Sequence, residues 1–83
     1  MKISKELRRD FILLGLQIKK LRKDRSITLK VLSTKTGIRQ QYLQKIEDGK
    51  AYGVKIEKHL LKIATSLSVT MAELFNFSDQ ISL

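Results

Sequence analysis

Four polar side chains at helical spacing are the clearest candidates for chemistry in this sequence. If the residues around Leu43 form a helix, with about 100° of rotation per residue, Leu43 and Ile46 lie on its inner side and a row of polar residues lies on its outer side. A glutamine amide donates and accepts at once and pairs with adenine N6 and N7 in a DNA major groove, whereas lysine reaches guanine or phosphate. An ordinary solvated helix face has the same pattern, so this pattern alone leaves both interpretations open. The outward row is Gln41, Gln44, Lys45 and Asp48.

Other chemistry is poorly represented. The chain has no Cys and a single His, which excludes disulfides, thiolate catalysis and cysteine-based zinc sites. Glu47 and Asp48 are adjacent and therefore point to different faces of a helix. No nucleophile with a base, phosphate loop or metal set is recognisable. We therefore expect no enzyme activity, no cofactor, no metal and no small-molecule ligand.

The charge balance favours an anionic partner. Lys and Arg number 17 against 8 Asp and Glu, a formal net charge of +9. Residues 1–30 contribute ten basic and three acidic groups, residues 31–58 six and three, and residues 59–83 one and two. This polarity predicts one face for a polyanion and a near-neutral face for an apolar contact, such as a second copy. Double-stranded DNA, an anionic membrane surface and a purely solubilising excess remain open on charge alone.

Length and hydropathy limit the architecture. A chain of 83 residues allows one domain with one small core. The longest apolar run is Phe11–Leu14, or six residues to Leu16 if Gly15 is counted, whereas a membrane span needs about twenty. Charged residues stand where the apolar part of a secretion signal would begin. These features predict a cytoplasmic protein.

Local signals predict five helices and no strand. The stripe of Leu7, Phe11, Leu14, Ile18 and Leu21 predicts a first helix over about 5–23, with Ser4 as its N-cap. We interpret Gly15 as a tolerated interruption, which costs about 1 kcal/mol relative to Ala, with close packing as the alternative. A fourth helix carries the stripe of Ile56, Leu60, Ile63, Ala64 and Leu67, and Thr70 with Glu73 forms a capping box before a fifth.

The second and third helices form a helix-turn-helix pattern. Thr28 caps a helix over 29–36, with Val31 and Leu32 inward, and Gly37 ends it. A third helix covers about 40–48 and ends at Gly49. Only Gly37, Ile38 and Arg39 separate the two helices, and so short a link forces them to cross steeply.

Taken together, these spaced residues resemble the lambda-repressor-like, Cro-type transcription regulators. The matching features are the Thr28 cap, Leu32 followed by the small Ser33, Gly37 in the turn, and the ending Ile46-Glu47-Asp48-Gly49-Lys50. The resemblance covers about residues 12–77. Upstream it includes Gly15, Ile18, Leu21 and Arg22; downstream it includes Leu60, Leu61, Lys62, Ile63, Ala64, Leu67, Val69, Thr70, Glu73 and Leu74.

The resemblance implies an all-α, five-helix fold in which the third helix enters the major groove of DNA. By position, the base-reading residues would be Gln40, Gln41, Gln44 and Lys45. Contacts to the DNA backbone would come from Leu29, Lys30, Arg39, Tyr42, Lys50, Tyr52 and Lys55, with Tyr42 also a candidate for a thymine methyl. The family pattern further implies a structural ion pair between Arg22 and Glu47, with a phosphate contact from Arg22 as a secondary role.

Two departures from the family pattern affect the backbone contacts. Leu29 stands where the family often has a glutamine that grips a phosphate, so only its backbone N–H can act there. The loop over 50–56 is about two residues longer than is common. We expect Tyr52 to pack within this loop and His59 to be an ordinary surface residue.

We therefore predict a sequence-specific DNA-binding regulator of repressor or controller type, acting as a homodimer on an inverted repeat. Residues 1–10 would be a basic extension that either lengthens the first helix or lies along DNA, 11–77 the DNA-binding domain, and 78–83 a short tail. The near-neutral C-terminal end would form the dimer interface through Leu74, Phe75, Phe77 and Ile81. The alternative is the DNA-binding antitoxin of a toxin-antitoxin pair. A cationic membrane-surface helix is disfavoured by the caps and turns of a compact domain.

Overall fold

Five helices follow one another in the residues that the computed structural model describes, 5–51 and 55–76, with side chains described for 8–51 and 56–76. They are α1 (Lys5–Asp24), α2 (Leu29–Thr36), α3 (Gln40–Glu47), α4 (Lys55–Ser66) and α5 (Met71–Leu74). No strand occurs in these ranges. The all-α fold class is confirmed, and α1 begins at Lys5, so residues 5–10 lengthen the first helix. The proposed cap Ser4 lies outside the described residues.

Side-chain caps explain where two of the helices begin. Thr28 has an extended backbone, and its hydroxyl accepts a hydrogen bond from the Val31 N–H at 3.1 Å. Before α5, the Thr70 hydroxyl accepts from the Glu73 N–H while the Glu73 carboxylate accepts from the Thr70 N–H. Both arrangements satisfy N–H groups that a helix start leaves without a partner.

A residue in the left-handed conformation follows each of the helices α1 to α4. Gly37 after α2 and Gly49 after α3 have φ of +74° and +73°, as the sequence predicts. Ser26 and Ser68 take the same conformation after α1 and α4, which the sequence did not suggest because serine rarely adopts it. α3 ends one residue earlier than expected, with Asp48 as its C-cap.

The core takes side chains from all five helices. The expected stripe of α4 is buried throughout, and Leu14, Ile18, Leu32, Leu43, Ile46 and Leu74 join it. The inward placement of Val31 is wrong, because this side chain is 43% exposed. α2 buries Leu32 and Thr36, one turn apart, and Val31 lies about 100° away from Leu32 around the helix.

The end of α3 packs directly on α1, and Gly15 makes this possible. A Cβ at Gly15 would lie 2.2 Å from the Ile46 carbonyl oxygen and 2.8 Å from that of Glu47. A Cβ at Gly49 would lie 2.7 Å from Cγ1 of Ile12. The interpretation of Gly15 as a merely tolerated interruption is therefore wrong: it marks a close approach between backbones, which fixes the face that α3 turns outward.

Candidate nucleic-acid interface

α3 has one buried side and one exposed polar side. Leu43, Ile46 and Glu47 are buried, while all four residues expected to read bases are exposed. The three glutamines line an open depression of about 410 Å³. The helix thus presents a continuous row of hydrogen-bonding groups to solvent. This row is Gln40, Gln41, Gln44 and Lys45.

Asp48 is exposed at the end of this surface, as the periodicity predicts, and makes a hydrogen bond there that the sequence did not assign. Gln44 Nε2 donates to Asp48 Oδ1 at 3.0 Å, one turn along the helix. The contact holds the Gln44 amide in one orientation and places a carboxylate at the end of the polar row. That carboxylate repels phosphate. The i, i+4 spacing of the two residues was the available signal.

The expected pair between Arg22 and Glu47 is present and buried. Arg22 Nε donates to Glu47 Oε2 at 2.6 Å, and Nη2 donates to Oε1 at 3.0 Å. Nη1 donates to the Ile27 carbonyl at 2.7 Å. Arg22 is 7% and Glu47 3% exposed. This arginine therefore ties α1, the α1–α2 loop and α3 together, and its guanidinium is committed to these partners instead of being turned toward a phosphate.

The turn between α2 and α3 is held by hydroxyl groups of α2. The Ser33 hydroxyl donates to the Ile38 carbonyl at 2.5 Å. The Thr36 hydroxyl accepts from the Ile38 N–H at 3.1 Å and donates to the Leu32 carbonyl at 2.8 Å. Both backbone polar groups of Ile38 thus bind side chains of the preceding helix. Sequence analysis did not assign these roles, because a hydroxyl in a helix bonds its own backbone as readily as a turn.

The seven residues expected to contact the DNA backbone differ in their exposure. Lys30, Arg39 and Lys50 are exposed. Leu29 is half-buried with its side chain against the core, and its backbone N–H stands in the first turn of α2. Tyr52 and the side chain of Lys55 lie outside the described residues.

Tyr42 and His59 pack together between α3 and α4. Their ring centroids are 5.0 Å apart at an interplanar angle of 61°. His59 is half-buried, and its Nδ1 is buried with no hydrogen-bond partner. Desolvation, followed by the charges of Lys62 and Lys58, lowers the pKa of His59 from its usual 6.5. The expectation of an ordinary surface histidine is met only in part, because the ring is half-buried and packs against Tyr42 of α3.

The expected dimer residues separate into three groups. Leu74 is 0% exposed and belongs to the core, so its assignment to an outer surface is wrong; α5 turns this residue toward α1 and α4. Phe75 is 45% exposed. Phe77 and Ile81 lie outside the described residues, as does the rest of the segment after Asn76.

A second apolar surface on α1 was not anticipated. Ile12 and Leu16 are 41% and 49% exposed, and Ile12 borders Gly49 at the end of α3. α1 also reaches α5, because Gln17 Nε2 donates to the Glu73 carbonyl at 3.0 Å. The i, i+4 spacing of Ile12 and Leu16 was the signal, obscured by the stronger core stripe of the same helix.

Within residues 5–51 and 55–76, no helix is both long and apolar enough to cross a membrane. In the same ranges, no three His, Asp or Glu side chains are grouped so that they could hold a metal ion.

Comparison with known proteins places this geometry in a wider context. A family model described as the Cro/C1-type helix-turn-helix (HTH) DNA-binding domain matches residues 17–80. An HTH_3 family transcriptional regulator from Vibrio cholerae has a similar crystal structure, with a TM-score of 0.77 and 27% identity. The match covers 89% of this chain and 40% of that one. No curated protein sequence matches significantly.

Two more distant structures share the fold. The restriction-modification controller protein C.AhdI from Aeromonas hydrophila has a TM-score of 0.72 and 24% identity, over 80% of this chain and 97% of that chain. A hypothetical transcription factor, NHTF, from Neisseria has a TM-score of 0.75 and 15% identity, over 98% of this chain and 90% of that one. At these identities the likeness concerns the fold alone.

Proposed function

Because the chain belongs to the Cro/C1-type helix-turn-helix DNA-binding domain family and is a transcription regulator of that type, we propose that it binds an inverted-repeat operator as a homodimer. α3 would enter the major groove of each half-site. The family and the similar structures are those of transcription regulators, not enzymes. The observation that carries the proposal is the exposed amide and lysine row of α3, held outward by the buried side of the same helix.

The row has the chemistry that base recognition needs. The major groove is about 12 Å wide and admits an α-helix, and each base pair presents a distinct donor and acceptor pattern there. Gln40 and Gln41 lie in the first turn of α3, the part of a recognition helix that reaches deepest. Gln44, oriented by Asp48, and Lys45 follow one turn later. We assign adenine contacts to the glutamines and a guanine or phosphate contact to Lys45.

Phosphate contacts would set the register of the domain on the duplex. Exposed Lys30, Arg39 and Lys50 flank the α3 row, and the backbone N–H of Leu29 adds a donor at the start of α2. The proposed set also includes Tyr52, and Lys55 at the start of α4. We assign Tyr42 a supporting role, since its ring packs on His59.

A homodimer is favoured by the exposed apolar side chains on α1 and α5. Phe75 and Leu16 stand on helices that a hydrogen bond joins, and exposed apolar surface commonly marks a contact site. A two-fold dimer would place two α3 helices about 34–36 Å apart, which is one turn of DNA. The operator would then be an inverted repeat with half-site centres about 10–10.5 bp apart.

Selection of bound sites from a random duplex pool tests this proposal. Wild-type protein should enrich an inverted repeat with that spacing. A variant with Gln40, Gln41 and Gln44 all changed to Ala should lose the enrichment. A control variant with Glu57, Lys58 and Thr65, exposed on α4, changed to Ala should retain it. Failure of the wild type to enrich any sequence would overturn the proposal.

A further inference from the structure

In the link between α2 and α3, both backbone polar groups of the central residue are hydrogen-bonded to side chains of α2. Ile38 is the middle residue of the three-residue link, and its side chain is buried. Its N–H donates to Thr36 Oγ1, and its carbonyl accepts from Ser33 Oγ. The residue cannot rotate about φ or ψ without breaking one of these bonds. Gly37 before it is fixed by its own N–H, which donates to the Ser33 carbonyl at 2.8 Å.

α3 receives no comparable restraint from its own start. Arg39 occupies the N-cap position but makes no side-chain capping bond. The orientation of the first turn of α3, which carries Gln40 and Gln41, therefore depends on the link that precedes it and on the packing of Leu43. Two small hydroxyl side chains of α2 provide the restraint that a cap would otherwise supply.

We propose that Ser33 and Thr36 are positioning residues for base recognition. They hold the Ile38 peptide groups and so preset the direction in which α3 enters the groove. This inference rests on the proposed function and deepens it, since it assigns part of the sequence discrimination to residues that do not contact bases.

The expected effect falls on specific binding more than on general affinity. Non-specific binding depends on the number of phosphates neutralised by Lys and Arg, and these side chains would remain. A bidentate amide-adenine pair requires donor and acceptor distances near 3 Å with well-aligned angles. A recognition helix that samples several orientations must be fixed in one of them before it can read bases. The entropy lost in this step lowers the affinity for the operator.

Other threonines provide a matched control. Thr34 also lies on α2, and its hydroxyl donates to the carbonyl four residues earlier, that of Lys30, at 3.1 Å. Thr36 makes the same type of bond to Leu32. Of the two threonines, only Thr36 is buried, and only its hydroxyl also accepts a hydrogen bond from the Ile38 N–H. Thr34→Val and Thr36→Val therefore remove the same helical bond, while the second alone releases Ile38.

The experiment compares dissociation constants for the selected operator and for random duplex of equal length. The proteins are the full chain, Thr36→Val, Thr36→Ser, Ser33→Ala and Thr34→Val, measured well below every melting temperature. Hydrogen exchange of the Tyr42 and Leu43 amides, which donate to the Arg39 carbonyl, is followed without DNA. Ser33→Ala keeps the test decisive if Thr36→Val does not fold.

Thr36→Val and Ser33→Ala should each lower the ratio of operator to random affinity about tenfold, an amount equal to about 1.4 kcal/mol. Affinity for random duplex should change less than twofold, and the two amides should exchange faster. Thr36→Ser and Thr34→Val should match the wild type. An unchanged ratio in both Thr36→Val and Ser33→Ala would overturn the inference while leaving the proposed function intact. A wild type that binds all duplexes equally would overturn both.

Discussion

Arg22 and Glu47 form a buried pair that joins α3 to α1 and to the loop after α1. Their charges are buried and compensate each other: two hydrogen bonds join the side chains, and a third arginine N–H binds the Ile27 carbonyl. Removing one member of such a pair leaves an uncompensated charge in a low-dielectric environment.

Glu47→Ala should therefore lower the free energy of unfolding by about 3–5 kcal/mol. Replacing both residues with apolar ones of similar volume should recover much of the loss. Thermal or denaturant unfolding measures the effect, with Glu57→Ala at an exposed position of α4 as the control. A Glu47→Ala protein as stable as this control would mean that the pair contributes nothing to the fold.

His59 gives the stability of the domain a pH dependence of known sign. Its pKa in the folded protein is lowered, mainly by desolvation, so below pH 6.5 the unfolded chain binds the proton more readily. The stabilisation is complete above pH 6.5 and is lost as the pH falls toward the lowered pKa. Melting temperatures at pH 8 and pH 5 should thus differ more for wild type than for His59→Phe, which keeps a ring against Tyr42. Equal differences would exclude a contribution from this histidine.

At the scale of helices, the sequence predicts local features, such as caps, better than contacts between helices. Thr28, Gly37 and the Thr70–Glu73 box act within a few residues, and they gave the ends of α2 and the start of α5 correctly. Val31 and Leu74 were assigned to the wrong environment, because which of several apolar residues on a short helix is buried depends on the partner helix. The polar face of α3 was predictable from periodicity, whereas the hydroxyl bonds to Ile38 needed coordinates.

Gly15 illustrates the same difference and provides a test. Helix propensity alone predicts that Gly15→Ala stabilises α1 by about 1 kcal/mol. The structure predicts the opposite sign, because the added methyl would meet backbone carbonyls of α3, and overpacking typically costs about 1–3 kcal/mol. Denaturant unfolding of Gly15→Ala decides between them, with Lys20→Ala at an exposed position of the same helix as the control. A stabilised Gly15→Ala would show that α1 and α3 can separate at no cost.

At the scale of the whole molecule, the positive charge and the exposed apolar side chains follow different distributions along the chain. The basic surplus lies in residues 1–58, while residues 59–83 are nearly neutral. Phe75 and Leu16 are exposed on the joined helices α5 and α1. A protein with this distribution can place its basic surface on DNA and its apolar surface on a second copy.

If the chain forms the proposed dimer, Phe75→Asp should convert it to a monomer at micromolar concentration, because a carboxylate would be buried without a partner in the interface. Sedimentation equilibrium measures the change in mass. Leu61→Asp is the control, since Leu61 is an exposed apolar residue of α4 outside the proposed contact. If Phe75→Asp remains dimeric, the interface lies elsewhere, and the exposed face of α1 around Leu16 becomes the surface to mutate.

The central claim is that the outward face of α3 recognises bases while its surroundings bind phosphate, and one binding measurement tests it directly. Affinities of wild type, Gln41→Ala and Lys50→Ala are determined for the selected operator, for its single-base variants and for random duplex. Gln41→Ala should lose about 1–3 kcal/mol on the operator and relax preference at one base pair, while Lys50→Ala should weaken binding to every duplex about equally. Equal losses on operator and random DNA for both variants would contradict the account.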